Sequence, residues 1–209
     1  MKRCRIVIFA KAPLAGFAKT RLISVLGAEG AAALAHKLLD LAIRQAIDAA
    51  VGSVELCMTP ADSDAWKEVT IPTGIICSVQ GEGDLGERLA RASERVIAAG
   101  DSLILTGTDC PALDAQCLRQ MTQDLDEADA VMVPTADGGY AALALKQFHP
   151  SLFSEIAWST DAVALQTRRR IAGLGWSLRQ LPMLHDIDQP NDLQWLPTDL
   201  AQNIQTPQL

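Results

Sequence analysis

Apolar residues along the chain fall into short runs separated by longer amphipathic stretches. The runs Arg5–Ala10, Val54–Met58, Ile75–Val79, Ser102–Gly107, Ala130–Pro134 and Tyr140–Leu145 have strand length and are rich in β-branched or aliphatic residues. Ser177–Leu181 extends the series as a candidate edge strand. Between the runs, Gly30–Ala50 is rich in Ala and Leu with its charges to one side, and Leu85, Leu89, Ala92 and Val96 recur at helical spacing within Leu85–Ala99. Leu113–Glu127 and Thr160–Leu174 also read as helices. Thr160 or Asp161 is placed to cap the latter and Gly173 to end it.

Strand and helix alternating in this way predict an α/β fold, a mostly parallel sheet covered on both faces. The segment 129–145 breaks the rhythm. Two strands there are joined only by Thr135–Gly139, too short for a crossover helix, so an antiparallel strand is expected to enter the sheet at that point. With 209 residues the expectation is one domain over 1–197, followed by a polar, loose tail over 198–209.

Composition narrows the class. A hydrophobic fraction of 49% and a charged fraction of 21% suit a globular chain with a sizeable core and exclude a disordered or collagenous one. The net charge of −7 argues against nucleic acid or an anionic membrane as the main partner. Its distribution is uneven: residues 1–21 hold Lys2, Arg3, Arg5, Lys11, Lys19 and Arg21 and no acid, a local cationic patch that suits a small anionic ligand. Cys4, Cys57, Cys77, Cys110 and Cys117 are odd in number and form no C-x-x-C pair, so neither a disulfide framework nor a zinc site is indicated. No signal-peptide core follows Met1-Lys2-Arg3, and no stretch is read as a membrane span; a cytoplasmic location is expected.

Several segments carry candidate chemistry. Lys11-Ala12-Pro13-Leu14-Ala15-Gly16-Phe17-Ala18-Lys19-Thr20-Arg21 follows the first strand and precedes a helix, where open α/β sheets bind ligands. Gly16 permits close backbone approach, and Lys11, Lys19 and Arg21 offer charge for phosphate; the alternative is a solvated basic loop. The segment is not a P-loop, because glycine does not immediately precede the lysine. Asp109 in Thr106-Gly107-Thr108-Asp109-Cys110-Pro111 lies just past a buried strand and is either a hard-oxygen ligand for Mg²⁺ or a turn cap. Cys110 has no neighbouring base to make it a nucleophile. In His185-Asp186-Ile187-Asp188-Gln189-Pro190, the alternating acids project to one side of an extended segment; Asp188 either joins Asp109 at a metal or caps the helix that Pro190 opens. Gln80-Gly81-Glu82-Gly83-Asp84-Leu85-Gly86-Glu87-Arg88 and Asp137-Gly138-Gly139-Tyr140 are glycine-rich strand boundaries, and Arg88 calls for an anion or acid near its helix start. Trp158 offers an aromatic wall or simple packing, and His36, His149 and His185 show no metal-ligand spacing.

Taken in order, Phe9–Leu22, Gly83–Arg88, Gly107–Leu113, Pro134–Tyr140, Ile156–Thr160 and Asp186–Leu193 resemble the bacterial GT-A-type, DUF2064-like proteins described as radical-SAM/selenodomain-associated transferases, within the nucleotide-diphospho-sugar transferase superfamily. The resemblance implies a three-layer α/β/α sandwich with a Rossmann-like GT-A sheet. By similarity to molybdenum-cofactor guanylyltransferases, the first loop would wrap a triphosphate through Lys11, Pro13, Gly16, Lys19 and Arg21. Asp109 and Asp188 would hold Mg²⁺ or Mn²⁺, and Lys19, Arg21 and Asp109 would act in catalysis. Gly83, Asp84, Gly86 and Arg88 would lie on the nucleotide side, and Asp137, Gly138, Gly139, Tyr140 and Trp158 on the acceptor side. The first loop departs from the pyrophosphorylase pattern in lacking an L-x-G-G start.

Three functions follow as expectations. The lead is nucleotidyl transfer from a nucleoside triphosphate to a small, phosphorylated acceptor, in which positioning and electrostatics do most of the work. The second is glycosyl transfer from an NDP-sugar, against which stands the missing second acid of a D-x-D motif at Asp109-Cys110-Pro111. The third is a catalytically silent nucleotide-binding module.

Overall fold

The computed structural model describes residues 3–201, without the side chain of Asp199. Seven strands form one sheet: β1 (Cys4–Lys11), β2 (Gly52–Thr59), β3 (Ile76–Val79), β4 (Ser102–Thr106), β5 (Ala130–Pro134), β6 (Tyr140–Leu145) and β7 (Leu178–Gln180). Their spatial order is β3-β2-β1-β4-β6-β5-β7, and β6 alone runs antiparallel, pairing with β4 and β5. The break in rhythm at 129–145 is therefore the β5–β6 hairpin.

Alternation along β1 shows how the layers assemble. Cys4, Ile6, Ile8 and Ala10 face one core with α1 (Ile23–Ala49) and α3 (Ala115–Glu127), while Val7 and Phe9 face a second core with α2 (Leu85–Ala98) and α4 (Val163–Gly173). Ile104, Val131, Val133 and Ala144 continue the first face; Leu103, Leu105, Met132 and Leu143 continue the second. This is a three-layer α/β/α sandwich. A third cluster joins Leu22, Leu34 and Leu38 to Ile187 and Leu200, fastening the C-terminal segment onto α1.

Some boundaries differ from the sequence reading. α1 is broken at Gly27 (φ 71°, ψ 168°), so a short helical turn over 23–26 precedes the helix expected from Gly30. Thr20–Ala49 is long and apolar enough to cross a membrane by length and composition, which corrects the expectation that no stretch is. Here Leu34, Leu38, Leu39 and Ile43 are buried in the protein's own cores. At α4 the N-cap position is Ala162, with the Thr160 hydroxyl accepting from its N–H at 3.3 Å, so Asp161 is not the cap. The opening of the expected loose tail forms α5 (Thr198–Ala201) with Leu200 buried; 202–209 lie outside the described residues.

The cationic patch is also divided. Arg5, near the start of β1, bonds Glu55 at 3.3 Å and Asp101 at 2.8 Å, whereas Lys11, Lys19 and Arg21 lie at and beyond the strand's carboxyl end. An eight-residue extended strand sets these two groups far apart. Lys2 lies outside the described residues.

Candidate active site

From β1 the chain passes to β2 and β3 on one side and returns to β4 on the other, so the topology reverses between β1 and β4. A crevice outside the carboxyl ends of strands at such a reversal is the usual ligand position in open α/β sheets. A cleft of about 340 Å³ occurs here. Phe9, Leu89, Leu105, Tyr140, Trp158 and Val163 give it apolar and aromatic walls, and Arg21, Asp109, Asp137, Asp186 and Asp188 line it with charge.

Three distant segments meet at Lys19. Its side chain is only 5% exposed, pairs with Asp109 at 2.6 Å and donates to the carbonyl of Ile187. The backbone of Ile187 in turn donates to the carbonyl of Asp109 at 2.8 Å. Ile187 is fully buried, so the extended backbone on either side turns Asp186 and Asp188 to the cleft, as their alternation predicts. Asp188 pairs with Arg21, whose side chain is 58% exposed. Lys19 adopts a left-handed backbone (φ 48°, ψ 40°), a conformation that surrounding contacts must hold in place for a residue other than glycine.

These pairings settle several alternatives. Asp188 does not cap the following 3-10 helix (Pro190–Trp195); Gln189 occupies the cap position, and Asp192 accepts from the N–H groups of both Asp188 and Gln189. Asp109 is the ion-pair partner of Lys19, while α3 is capped by Asp114, whose carboxylate accepts from Cys117 N at 2.7 Å. The Cys110 thiol donates to the His185 carbonyl at 3.3 Å, and burial pushes it up to about 11, which leaves no thiolate for nucleophilic attack near neutral pH. Asp186 is half-buried. Burial raises its carboxyl above the ordinary value, and the charge of Asp137 beside it adds to the effect. The two are neighbours because Leu184 pairs with Pro134, Thr135 and Ala136 through backbone bonds.

Elsewhere on the first loop, the Lys11 ammonium lies 4.2 Å from the Phe17 ring centroid, Pro13 is half-buried and Gly16 has φ 75° with open space where a side chain would project. Of this loop and the turn that follows it, Arg21 lines the cleft; Lys11, Pro13, Gly16 and Lys19 do not.

The glycine-rich turn before α2 is occupied mainly with its own helix. Asp84 and Glu87 form a reciprocal capping box at 2.9 Å each way, and Arg88, for which an anion or acid was expected, donates to the Gly83 carbonyl at 2.9 Å. Gly83, Asp84, Gly86 and Arg88 lie beside the cleft without lining it, whereas Leu85 and Leu89 line it. On the other side, Asp137 accepts from Thr135 Oγ1 at 2.6 Å and from Gly139 N at 2.9 Å, which fixes the hairpin turn. Gly138 (φ 89°) packs against the backbone of Asp161. Tyr140 lines the cleft, but its hydroxyl is buried, and burial raises its pKa.

Gln80, noted in sequence only as the start of a glycine-rich segment, and Arg91, not singled out there, both brace the turn before α2. Gln80 Nε2 bonds the carbonyls of Ala10 and Cys57, both at 3.1 Å, and Arg91 donates to Gln80 O at 2.6 Å and Glu82 O at 2.9 Å, bracing the 80–84 turn. A glutamine directly following the apolar run Ile75–Val79 was the available signal.

The donor set at the cleft is carboxylate oxygen, which suits Mg²⁺ or Mn²⁺. No three His, Cys, Asp or Glu side chains among the described residues converge to hold an ion by themselves. Asp109 and Asp188 could contribute oxygen ligands to such a cation only alongside others, of the kind a phosphate supplies.

Similarity to known proteins bears on the family and the fold. Residues 42–160 match the family described as "Uncharacterized protein conserved in bacteria (DUF2064)". Among solved structures, a candidate nucleotide-diphospho-sugar transferase from Desulfovibrio desulfuricans G20 is 27% identical with a TM-score of 0.87, over 97% of this chain and 90% of that one. Rv0371c from Mycobacterium tuberculosis H37Rv, solved in complex with manganese, shares 19% identity and a TM-score of 0.55 over 97% and 99% of the two chains. CMP:2-keto-3-deoxy-manno-octonic acid synthetase complexed with CTP shares 12% identity and a TM-score of 0.59 over 96% and 99%. None of the curated proteins matches the chain. The fold is thus the Rossmann-like fold of GT-A transferases and nucleotidyltransferases.

Proposed function

The chain belongs to the DUF2064 family, and we propose that it is a metal-assisted, nucleotide-dependent transferase that moves a nucleotidyl group from a nucleoside triphosphate to a small acceptor. One observation carries the reading: Asp109 and Asp188, nearly eighty residues apart, meet at the strand-reversal crevice, each against a cation from the first loop or the turn after it. Such an arrangement suits a ligand that carries phosphate and a divalent cation together.

When bound, a divalent cation would neutralise phosphate charge and polarise the phosphorus centre. Asp109 and Asp188 would hold it. Arg21, exposed at the cleft, would exchange Asp188 for a phosphate oxygen, a geometry its planar guanidinium favours. Lys19 would keep Asp109 and the Asp186–Asp188 segment in place, which is positional catalysis. The apolar side chains of Phe9, Leu89 and Val163 would shield one side of a bound ligand from water.

Glycosyl transfer from an NDP-sugar is the second reading, and the placement of Lys19 is as compatible with it as with the first. A β/γ-phosphate is not needed to explain a lysine that is already buried against Asp109 and a carbonyl. The D. desulfuricans structure, at 27% identity, is itself described as a candidate nucleotide-diphospho-sugar transferase.

Thermal-shift titration of the purified protein against the four NTPs and a panel of NDP-sugars, each with and without Mg²⁺, separates the readings by mass action. Mg²⁺-dependent stabilisation by one NTP supports nucleotidyl transfer; preference for one NDP-sugar supports glycosyl transfer. A flat response to every ligand refutes both.

A further inference from the structure

Gly86 occupies the second helical position of α2, is buried, and has no left-handed backbone to explain it. What demands glycine is proximity. A Cβ here would lie 2.6 Å from the indole nitrogen of Trp158 and 3.2 Å from Asp84 Oδ1, and would collide with the carbonyl oxygen of Phe153. The start of α2 thus abuts the segment carrying Trp158 more closely than any side chain allows.

That segment is held in an unusual shape. Glu155 (φ 53°) and Ser159 (φ 63°) adopt left-handed backbone conformations on either side of Trp158. The conformation is fixed by Ala157 N donating to Gln166 Oε1 at 2.7 Å, Thr160 Oγ1 donating to Ala157 O at 2.7 Å, and Trp158 N donating to Ile156 O at 2.8 Å. Two disfavoured residues bracketing an aromatic side chain in a cleft are the kind of strain that surrounding structure maintains for a purpose. Trp158 packs against the α2/α4 core and lines the cleft beside Leu85, Tyr140 and Val163.

We propose that Trp158 is a specificity-determining wall of the cleft, contacting the group joined to or facing the nucleotide, and that Gly86 is a positioning residue acting through Trp158. This rests on the transferase reading above and gives Gly86 a different role from direct nucleotide contact.

Fluorine NMR of fluorotryptophan-labelled protein tests the seating without any ligand. The chain has four tryptophans, and the resonance lost in Trp158→Phe is that of Trp158. In Gly86→Ala that resonance should move while the other three stay. Calorimetry with Mg²⁺ then compares UDP with UDP-glucose and GDP with GDP-mannose. Trp158→Ala and Gly86→Ala should each reduce the preference for the sugar-bearing ligand about tenfold while changing nucleoside diphosphate affinity less than about twofold. The double variant should be no weaker than Trp158→Ala alone. An unmoved Trp158 resonance in Gly86→Ala overturns the positioning role. An equal loss of diphosphate affinity, or a wild type that binds the diphosphates but prefers neither sugar-bearing ligand, overturns the assignment of Trp158 to the far group. If the wild type binds no nucleotide at all, the transferase reading fails and the wall role falls with it, while the spectrum alone still decides whether Gly86 seats Trp158.

Discussion

Glu55→Gln probes the buried ion network at the end of the sheet away from the cleft. Glu55 is fully buried on β2 and accepts from Arg95 (3.0 Å from Nη1, with a second contact from Nη2), Ser78 (2.6 Å) and Arg5 (3.3 Å). Breaking a buried charge pair from one side costs about 3–5 kcal/mol when the remaining charge has nowhere to go. Here the remaining charges do have somewhere to go: Arg95 is 43% exposed, and Arg5 keeps Asp101 at 2.8 Å. The expected loss is therefore smaller, about 2–3 kcal/mol, and for a chain of this size about 5–10 °C in Tm. Burial alone would raise the Glu55 carboxyl, but bonds from Arg95, Ser78 and Arg5 outweigh it and hold the group below its ordinary value. A depressed folded-state pKa contributes stability that is full above the unfolded value, near 4.5, and is lost as pH falls through the lower folded one. Urea unfolding across the acid range should thus show a wild-type advantage at pH 7 that shrinks below about pH 4.5. A variant matching wild type within about 0.5 kcal/mol at pH 7 would refute the reasoning, as would a difference that ignores pH.

Other consequences are simpler. Arg21→Ala should change urea stability by less than about 0.5 kcal/mol, because its pair with Asp188 is largely exposed, yet abolish most of the thermal stabilisation by nucleotide. Lys19→Met should cost about 2 kcal/mol in the same unfolding assay, since it leaves Asp109 and the Ile187 carbonyl without their partner; a neutral result would show that Lys19 does not hold the three segments together. Cys110→Ser should leave activity intact, and alkylation of Cys110 in the folded protein should be slow at pH 8 because burial holds the thiol at about 11. Gly173→Ala, at an exposed helical glycine with open space around it, should stabilise by up to about 1 kcal/mol, the opposite sign from Gly86→Ala.

The contrast between those two glycines shows where sequence reading stops. Strand runs such as Val54–Met58 and Tyr140–Leu145 were legible because burial on a sheet imposes a local pattern, and the short Thr135–Gly139 connection was enough to place the antiparallel strand. The positions of Asp109 and of Asp186 and Asp188 were legible for a similar reason. A carboxylate just past a buried strand, or alternating along an extended segment, has its direction set by its immediate neighbours. Gly86 and Gly173 look alike as helical glycines, and what separates them is a tryptophan seventy residues away. Arg5 and Lys19 likewise share one basic segment, but Arg5 is committed to Glu55 and Asp101 and Lys19 to Asp109.

The same distinction bears on how the cleft works. The basic run over residues 1–21 suggested a cationic patch awaiting an anion, yet pairing in three dimensions leaves a cleft lined by four aspartates and Arg21, with Asp137 and Asp186 lacking an ion-pair partner among the described residues. Phosphate entering such a cleft gains little unless a divalent cation accompanies it, because the cations present are already engaged by carboxylates. Metal alone meets the converse obstacle at Asp109 and Asp188. Each ligand should therefore bind more tightly in the presence of the other, and by linkage the enhancement must be equal in both directions. Calorimetric titrations of Mg²⁺ with and without nucleotide, and of nucleotide with and without Mg²⁺, should give the same coupling; independent binding of the two would show that the Lys19–Asp109 and Arg21–Asp188 pairs do not govern access to the cleft.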